Sequence, residues 1–171
     1  MKIALLINRD NFETYAPPAP EGWELVHLGN GDPDPDKLAA VGADVLVVDA
    51  IMKIGPDIIN AVPKLKMIHS QGVAYNGIDL ASAARAGVYV CNNAGVNAQA
   101  VAEQAVLLML AVLRKFRPYE DMVYAGRQLE AKTACFKNGL PELGSMRVGI
   151  VGLGAIGQAT AERLGAFGCR L

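Results

Sequence analysis

Short β-type runs alternate with helical patterns through the first 95 residues, and this alternation most restricts what the chain can fold into. The runs are Lys2–Ile7, Trp23–Leu28, Ala43–Asp49, Lys66–Ser70 and Val88–Asn92. Several are continuously apolar, as expected of parallel strands covered on both faces. Helical patterns separate most of them, at Pro35–Val41, Pro56–Val62 and Asp79–Ala86. Pro56 and Asp79 suit helix starts, while Gly42 and Gly87 suit stops. Strand alternating with helix predicts an open parallel sheet of the α/β class. Asn30–Asp36 (NGDPDPD) reads as a turn-rich connection.

The pattern then changes. Asn97–Phe116 predicts one long helix with Asn97 as N-cap, Glu103 early, and Arg114 and Lys115 in its last turn, all favourable to the helix dipole. Its middle is apolar on nearly every face, so it needs cover from more than one side. A second, amphipathic helix is expected over roughly Pro118–Gln128, and Phe136–Ser145 reads as a connector.

Val148–Ala159 (VGIVGLGAIGQA) reads as a buried strand, a glycine turn and a helix. Gly152, Gly154 and Gly157 have the spacing of the dinucleotide fingerprint in its required strand–helix context. Gly152 would allow the tight turn, Gly154 the approach of a pyrophosphate, and Gly157 close helix–strand packing. The amides near Ala155 and Ile156 would face the phosphates at the positive end of the helix. A tight turn without a ligand would use glycine as well. The acidic residue expected about 20 positions on, which would hold the adenine ribose, falls past Leu171, just as Cys169–Leu171 begins a second strand. The sequence therefore reads as the first part of a longer protein.

His69–Leu80 (HSQGVAYNGIDL) is the second informative stretch. A strand ends at Ser70, and a loop with Gly72, Ala74 and Gly77 leads to a helix at Asp79. Ligands on open α/β sheets sit outside the carboxyl ends of strands. Successive amides in such a loop could form a nest for a carboxylate, although an ordinary strand–helix connection has the same length.

Composition argues against several function classes. Sixteen basic residues against seventeen acidic ones give no field that gathers nucleic acid or anionic lipid. Cys91, Cys135 and Cys169 form no CxxC pair, and with only His27 and His69 a zinc site is not expected. No apolar stretch is long enough for a signal peptide or a membrane span. A reducing cytoplasm is the expected compartment.

Three segments, GVAYNGIDL (Gly72–Leu80), GVYVCNNAGVNAQAVAEQAVLLMLAVLR (Gly87–Arg114) and ELGSMRVGIVGLGAIG (Glu142–Gly157), occur in an order and spacing that resemble one family. It is that of the D-isomer-specific 2-hydroxyacid dehydrogenases, including phosphoglycerate dehydrogenase-like enzymes. The resemblance implies a flavodoxin-like substrate domain made from both chain ends, with a Rossmann NAD domain inserted. Residues 1–98 would be the first part of the substrate domain, and residues 99–171 the start of the NAD domain. It further implies that Gly72, Val73 and Ala74 hold the substrate carboxylate, with Val73 also near the nicotinamide. Gly152, Gly154, Ala155, Ile156 and Gly157 would serve the cofactor, NAD or NADP. Ala74 stands where many members have glycine.

The reaction implied is hydride transfer between a small D-2-hydroxy acid and its 2-keto acid. It needs an arginine, a carboxylate and an acid–base histidine, and the resemblance places all three beyond residue 171. No catalytic residue is expected in this chain, which is expected to be inactive alone. His27 and His69 read as structural, and Glu103 as orienting its helix. The family's long helix also contributes to a homodimer.

Other NAD enzymes, such as alanine dehydrogenase and adenosylhomocysteinase, share the glycine turn but not the Gly72–Asp79 loop. A receiver module with Asp49 as phospho-acceptor lacks an acidic pair after the first strand and leaves the glycine turn unused. A folded but non-enzymatic interaction protein is the remaining alternative.

Overall fold

The computed structural model describes all 171 residues, which divide into two compact units, Met1–Ala94 and Gly95–Leu171. In the first unit the elements are β1 (Lys2–Leu6), α1 (Arg9–Tyr15), β2 (Glu24–His27), α2 (Pro35–Val41), β3 (Val45–Val48), α3 (Pro56–Ala61), β4 (Met67–Ser70), α4 (Leu80–Arg85) and β5 (Tyr89–Asn92). All five strands are parallel, in the order β2-β1-β3-β4-β5. This is the doubly wound arrangement, with its order reversal between β1 and β3. The α/β reading of these residues is borne out.

Local chemistry sets the boundaries. Pro35 and Pro56 each open a helix, where a missing amide hydrogen costs nothing. The Asp34 carboxylate caps α2 through the Asp36 and Lys37 amides, and Asp79 caps α4 through Ser82. Gly42 closes α2 in the left-handed conformation, at φ 57°. Helix α1 was not anticipated. Its sequence, RDNFETY, has one apolar residue and therefore no periodic stripe, and the available signal was Asn8, which accepts the Asn11 amide at 2.9 Å.

The main core gathers Ala4, Leu6, Leu46, Val48 and Ile68 from the strands against Leu38, Ile58, Ile59, Val62 and Ala83 from the helices. A smaller cluster, Ile3, Leu5, Ile7 and Val45, lies among the alternate residues of β1 and β3, with Phe12 packed on it. Fully burying a Leu or Ile side chain contributes roughly 1.5–3 kcal/mol, so the main cluster dominates the stability of this unit.

The second unit contains α5 (Ala98–Leu113), α6 (Phe116–Tyr124), α7 (Gln128–Asn138), a 3₁₀ turn (Leu143–Ser145) and α8 (Ala155–Ala166). Val106, Leu143 and Leu164 form its core, with Met109, Leu110, Val148 and Ile150 packed on them. An ion pair of 2.8 Å joins Glu103 on α5 to Arg163 on α8.

Several expectations for this unit need correction. Asn97 occupies the N-cap position of α5, but its side chain makes no capping bond. Arg114 and Lys115 are not in the last turn. Arg114 is the C-cap, and Lys115 adopts φ 49°, which ends α5 and lets α6 begin at Phe116. Pro118 falls in the first turn of α6, where no amide hydrogen is required. Gly126, at φ 71°, follows its end, and residues expected to be connector are helical in α7 as far as Asn138.

Val148–Val151 is not a buried strand. One parallel bridge, Arg147 to Arg170, is all the pairing present, with the Val148 amide donating to Arg170 O at 2.8 Å. Val151 is fully exposed. A strand is defined by its neighbours, and a single bridge leaves these amides and faces uncovered. No helix is long and apolar enough to cross a membrane.

Asp44 joins the amino ends of β1, β3 and β4: its carboxylate accepts the Lys2 amide at 2.9 Å and Lys66 Nζ at 2.8 Å. The Lys66 hydrogen bond, followed by the Lys2 amide, holds its pKa down at about 2. A depressed carboxylate pKa gives stabilisation that is complete above the ordinary carboxylate range and is lost as pH falls toward 2. Carboxyl ¹³C NMR should therefore place the Asp44 midpoint near 2, and Lys66→Met should move it upward. An ordinary midpoint in the native protein would contradict this arrangement.

Candidate functional site

The first part of the loop after β4 is built by protein donors that satisfy four successive carbonyl groups. Ser70, 1% exposed, donates from Oγ to Ala74 O at 2.6 Å. Asn92 Nδ2 donates to Val73 O at 2.7 Å, and Asn93 Nδ2 to Gln71 O at 2.8 Å. The Asn93 amide donates to Gly72 O at 3.0 Å. Four consecutive carbonyls, Gln71 to Ala74, are thus occupied by protein donors, whereas the amides of Gly72, Val73 and Ala74 meet no protein acceptor. Free amides in series on a partly exposed loop form a concavity suited to an anion.

Two glycines bring this loop against the one after β3. A Cβ on Gly72 would strike that of Ala50, and a Cβ on Gly77 would strike the Met52 carbonyl. Ala74 has no positive φ, so alanine fits the loop without backbone strain. Sequence reasoning found the three amides but not Ser70, Asn92 and Asn93, which order them. The available signal was two asparagines at the end of β5, the neighbouring strand.

In the second unit, Gly152 turns at φ 96°, the left-handed region that favours glycine. Gly154 is the extended N-cap of α8, and a Cβ there would meet open space. Gly157 packs so closely that a Cβ would strike the Gly152 carbonyl. The first intrahelical bond is Gln158 N–H to Gly154 O, at 2.9 Å, so the amides of Ala155 and Ile156 lie ahead of it without a helical acceptor. The structure therefore has a sharp turn, an unobstructed approach at Gly154 and free amides at the positive end of a 12-residue helix. These features fit a pyrophosphate.

His27 lies on edge strand β2, edge to face with Phe12 at a ring separation of 5.3 Å, and its buried Nδ1 lacks a partner. His69 is half-buried on β4. No three His, Cys, Asp or Glu side chains converge to hold a metal ion.

Comparison with known proteins agrees with the family indicated by the motifs. The model for the D-isomer specific 2-hydroxyacid dehydrogenase, catalytic domain, matches residues 23–167. A glyoxylate reductase of Thermofilum pendens is 37% identical over 128 residues, covering 75% of this chain and 38% of that protein. A D-3-phosphoglycerate dehydrogenase of Mycobacterium tuberculosis is also 37% identical, over 138 residues, covering 80% of this chain and 25% of that protein. The crystal structure of an NAD-dependent formate dehydrogenase from Staphylococcus aureus in complex with NAD superposes with a TM-score of 0.67 at 25% identity, over 99% of this chain and 54% of that one. The chain thus spans about a quarter to a half of the length of these proteins. With the fold, both motif loops and the match over residues 23–167 in agreement, the chain belongs to the D-isomer-specific 2-hydroxyacid dehydrogenase family.

Proposed function

We propose that this chain carries the substrate-carboxylate loop and the cofactor-pyrophosphate turn of an NAD(P)-dependent oxidoreductase that interconverts a D-2-hydroxy acid and a 2-keto acid. The observation that carries this reading is the Gly72–Ala74 loop, whose carbonyls are occupied and whose amides are free. The Met1–Ala94 unit is on this reading part of the substrate domain, and Gly95–Leu171 part of the NAD domain. A carboxylate bound at Gly72, Val73 and Ala74 is held by uncharged donors, which orient it without needing a cation. Val73, 38% exposed, offers an apolar side chain to the nicotinamide. Gly152 shapes the phosphate turn, Gly154 keeps it open, the Ala155 and Ile156 amides donate to the pyrophosphate, and Gly157 seats the helix.

Bound NAD(P)H would supply the hydride for the keto carbon. These residues bind and orient, while the arginine, the carboxylate and the acid–base histidine of the family pattern lie beyond residue 171. A positioned acid–base group accounts for roughly 10²–10⁴-fold in rate. The full-length protein that contains this sequence should oxidise NADH or NADPH with glyoxylate or pyruvate, and the 171-residue chain alone should not. Absence of turnover in the full-length protein would overturn the reading. Comparable turnover by the 171 residues would overturn the placement of the proton-transfer groups.

A homodimer through α5 is part of the same proposal. Leu107, Leu108 and Val112 remain 57%, 54% and 75% exposed. Leu108 and Val112, one turn apart, border an apolar groove of about 590 Å³ together with Met109, Leu143 and Val148. An isologous dimer is the commonest way to cover a self-complementary apolar face. Light scattering should find the chain dimeric or larger at tens of micromolar, and Leu108→Asp should yield monomer with helical content retained. A monomeric wild-type chain would refute the dimer.

A further inference from the structure

In the glycine turn before α8 one residue, Gln158, directs two successive donors back at the main chain. Its backbone amide donates to Gly154 O at 2.9 Å, and its side-chain Nε2 donates to Leu153 O at 3.0 Å. The carbonyl and the amide hydrogen of a trans peptide point in opposite directions, and every peptide bond of the chain is trans. Holding Leu153 O therefore turns the Gly154 amide away from Gln158, and holding Gly154 O does the same for the Ala155 amide. Neither amide meets a backbone acceptor.

The two bonds differ in what they depend on. Helix geometry holds the Gly154 carbonyl, so most residues at position 158 would make that bond. The Leu153 carbonyl lies outside the helix and is held by the Gln158 side chain. The peptide between Leu153 and Gly154 is also the one most able to turn over. Its rotation is taken up by ψ of Leu153 and φ of Gly154, and a glycine accepts either sign of φ. Gly154 stands at φ −79°, with open space where a Cβ would be, so no side chain of its own opposes the flip. A flipped peptide would present Leu153 O, instead of the Gly154 amide, to an approaching phosphate. The glycine that leaves room for a pyrophosphate thus leaves its own peptide unsecured, and Gln158 supplies the restraint.

We propose, on the basis of the functional reading above, that Gln158 is a positioning residue for the cofactor: its carboxamide locks the Leu153–Gly154 peptide so that the Gly154 amide donates to the pyrophosphate. It acts through the main chain. A glutamate of the same length is acceptor-only when ionised, so it would release Leu153 O and also bring a negative charge to an anion site. Methionine matches glutamine in length and helix preference but has no donor. Gln158 and Leu153 are both exposed, so their bond competes with water and its effect is severalfold rather than absolute.

The test uses the full-length protein containing this sequence, with ADP and NADH as probes. Titration calorimetry gives their dissociation constants, and NMR of the ¹⁵N-labelled protein follows the Gly154 and Ile156 amides as ADP is added. Gln158→Met should raise both dissociation constants about threefold to tenfold, the range of one neutral hydrogen bond, and Gln158→Glu should raise them further. With Gln158→Met the Gly154 shift should shrink, while that of Ile156, which depends on helix geometry, is retained. Dissociation constants equal to wild type in either variant would overturn this proposal alone. So would equal loss of both shifts, or loss of helical content by circular dichroism, because Gln158 would then act only on the stability of α8. A wild-type protein that binds neither ADP nor NADH would overturn the functional reading beneath it.

Discussion

The hydrogen bonds that turn four consecutive carbonyls of the β4–α4 loop toward protein donors are the constraint on which the proposed site depends. A peptide group has a donor and an acceptor at opposite ends. Once Ser70, Asn92 and Asn93 hold the carbonyls of Gln71, Val73, Ala74 and Gly72, the amide hydrogens of the intervening peptides have no choice but to point elsewhere. A buried Ser70 hydroxyl and two strand-end asparagines thus leave the Gly72, Val73 and Ala74 amides without a protein acceptor, the feature on which the proposed carboxylate site rests. The parallel register of β4 with β5 matters for the same reason, since it sets Asn92 beside Ser70.

The second loop reaches a similar result by other means. Helix geometry itself leaves the first amides of α8 without acceptors, and the glycines keep side chains out of the approach. Gly157 and Gly154 illustrate two distinct demands on one residue type: the first has no room for a Cβ, and the second leaves space open to a ligand. Both proposed sites are therefore electropositive without a formal charge.

Much of this was legible in the sequence where a periodic signal existed. The five strands of the first unit were readable because they are apolar and punctuated by Pro, Asp and Gly at helix ends. α1 and α7 were not, because RDNFETY and QLEAKTACFKN bury almost nothing and so impose no period. The junction at Lys115 was missed because basic residues favour a helix C-terminus in general, and nothing local announces that one will adopt a positive φ. The Val148–Val151 segment has the composition of a buried strand, but burial is a property of neighbours, and a single bridge to Arg170 does not supply them. At the site, the glycines were visible from spacing, whereas Asn92 and Asn93, two of the three residues whose side chains orient the loop, come from the end of the neighbouring strand and are set by sheet register.

The central claim is that two sets of free backbone amides form the binding surfaces for a 2-keto acid and a dinucleotide. An amide chemical-shift map of the ¹⁵N-labelled 171-residue chain, with pyruvate and NADH added together, addresses it most directly. The account predicts the largest shifts at Gly72, Val73 and Ala74 and at Gly154, Ala155 and Ile156. Shifts concentrated elsewhere, with these six amides unmoved, would contradict it.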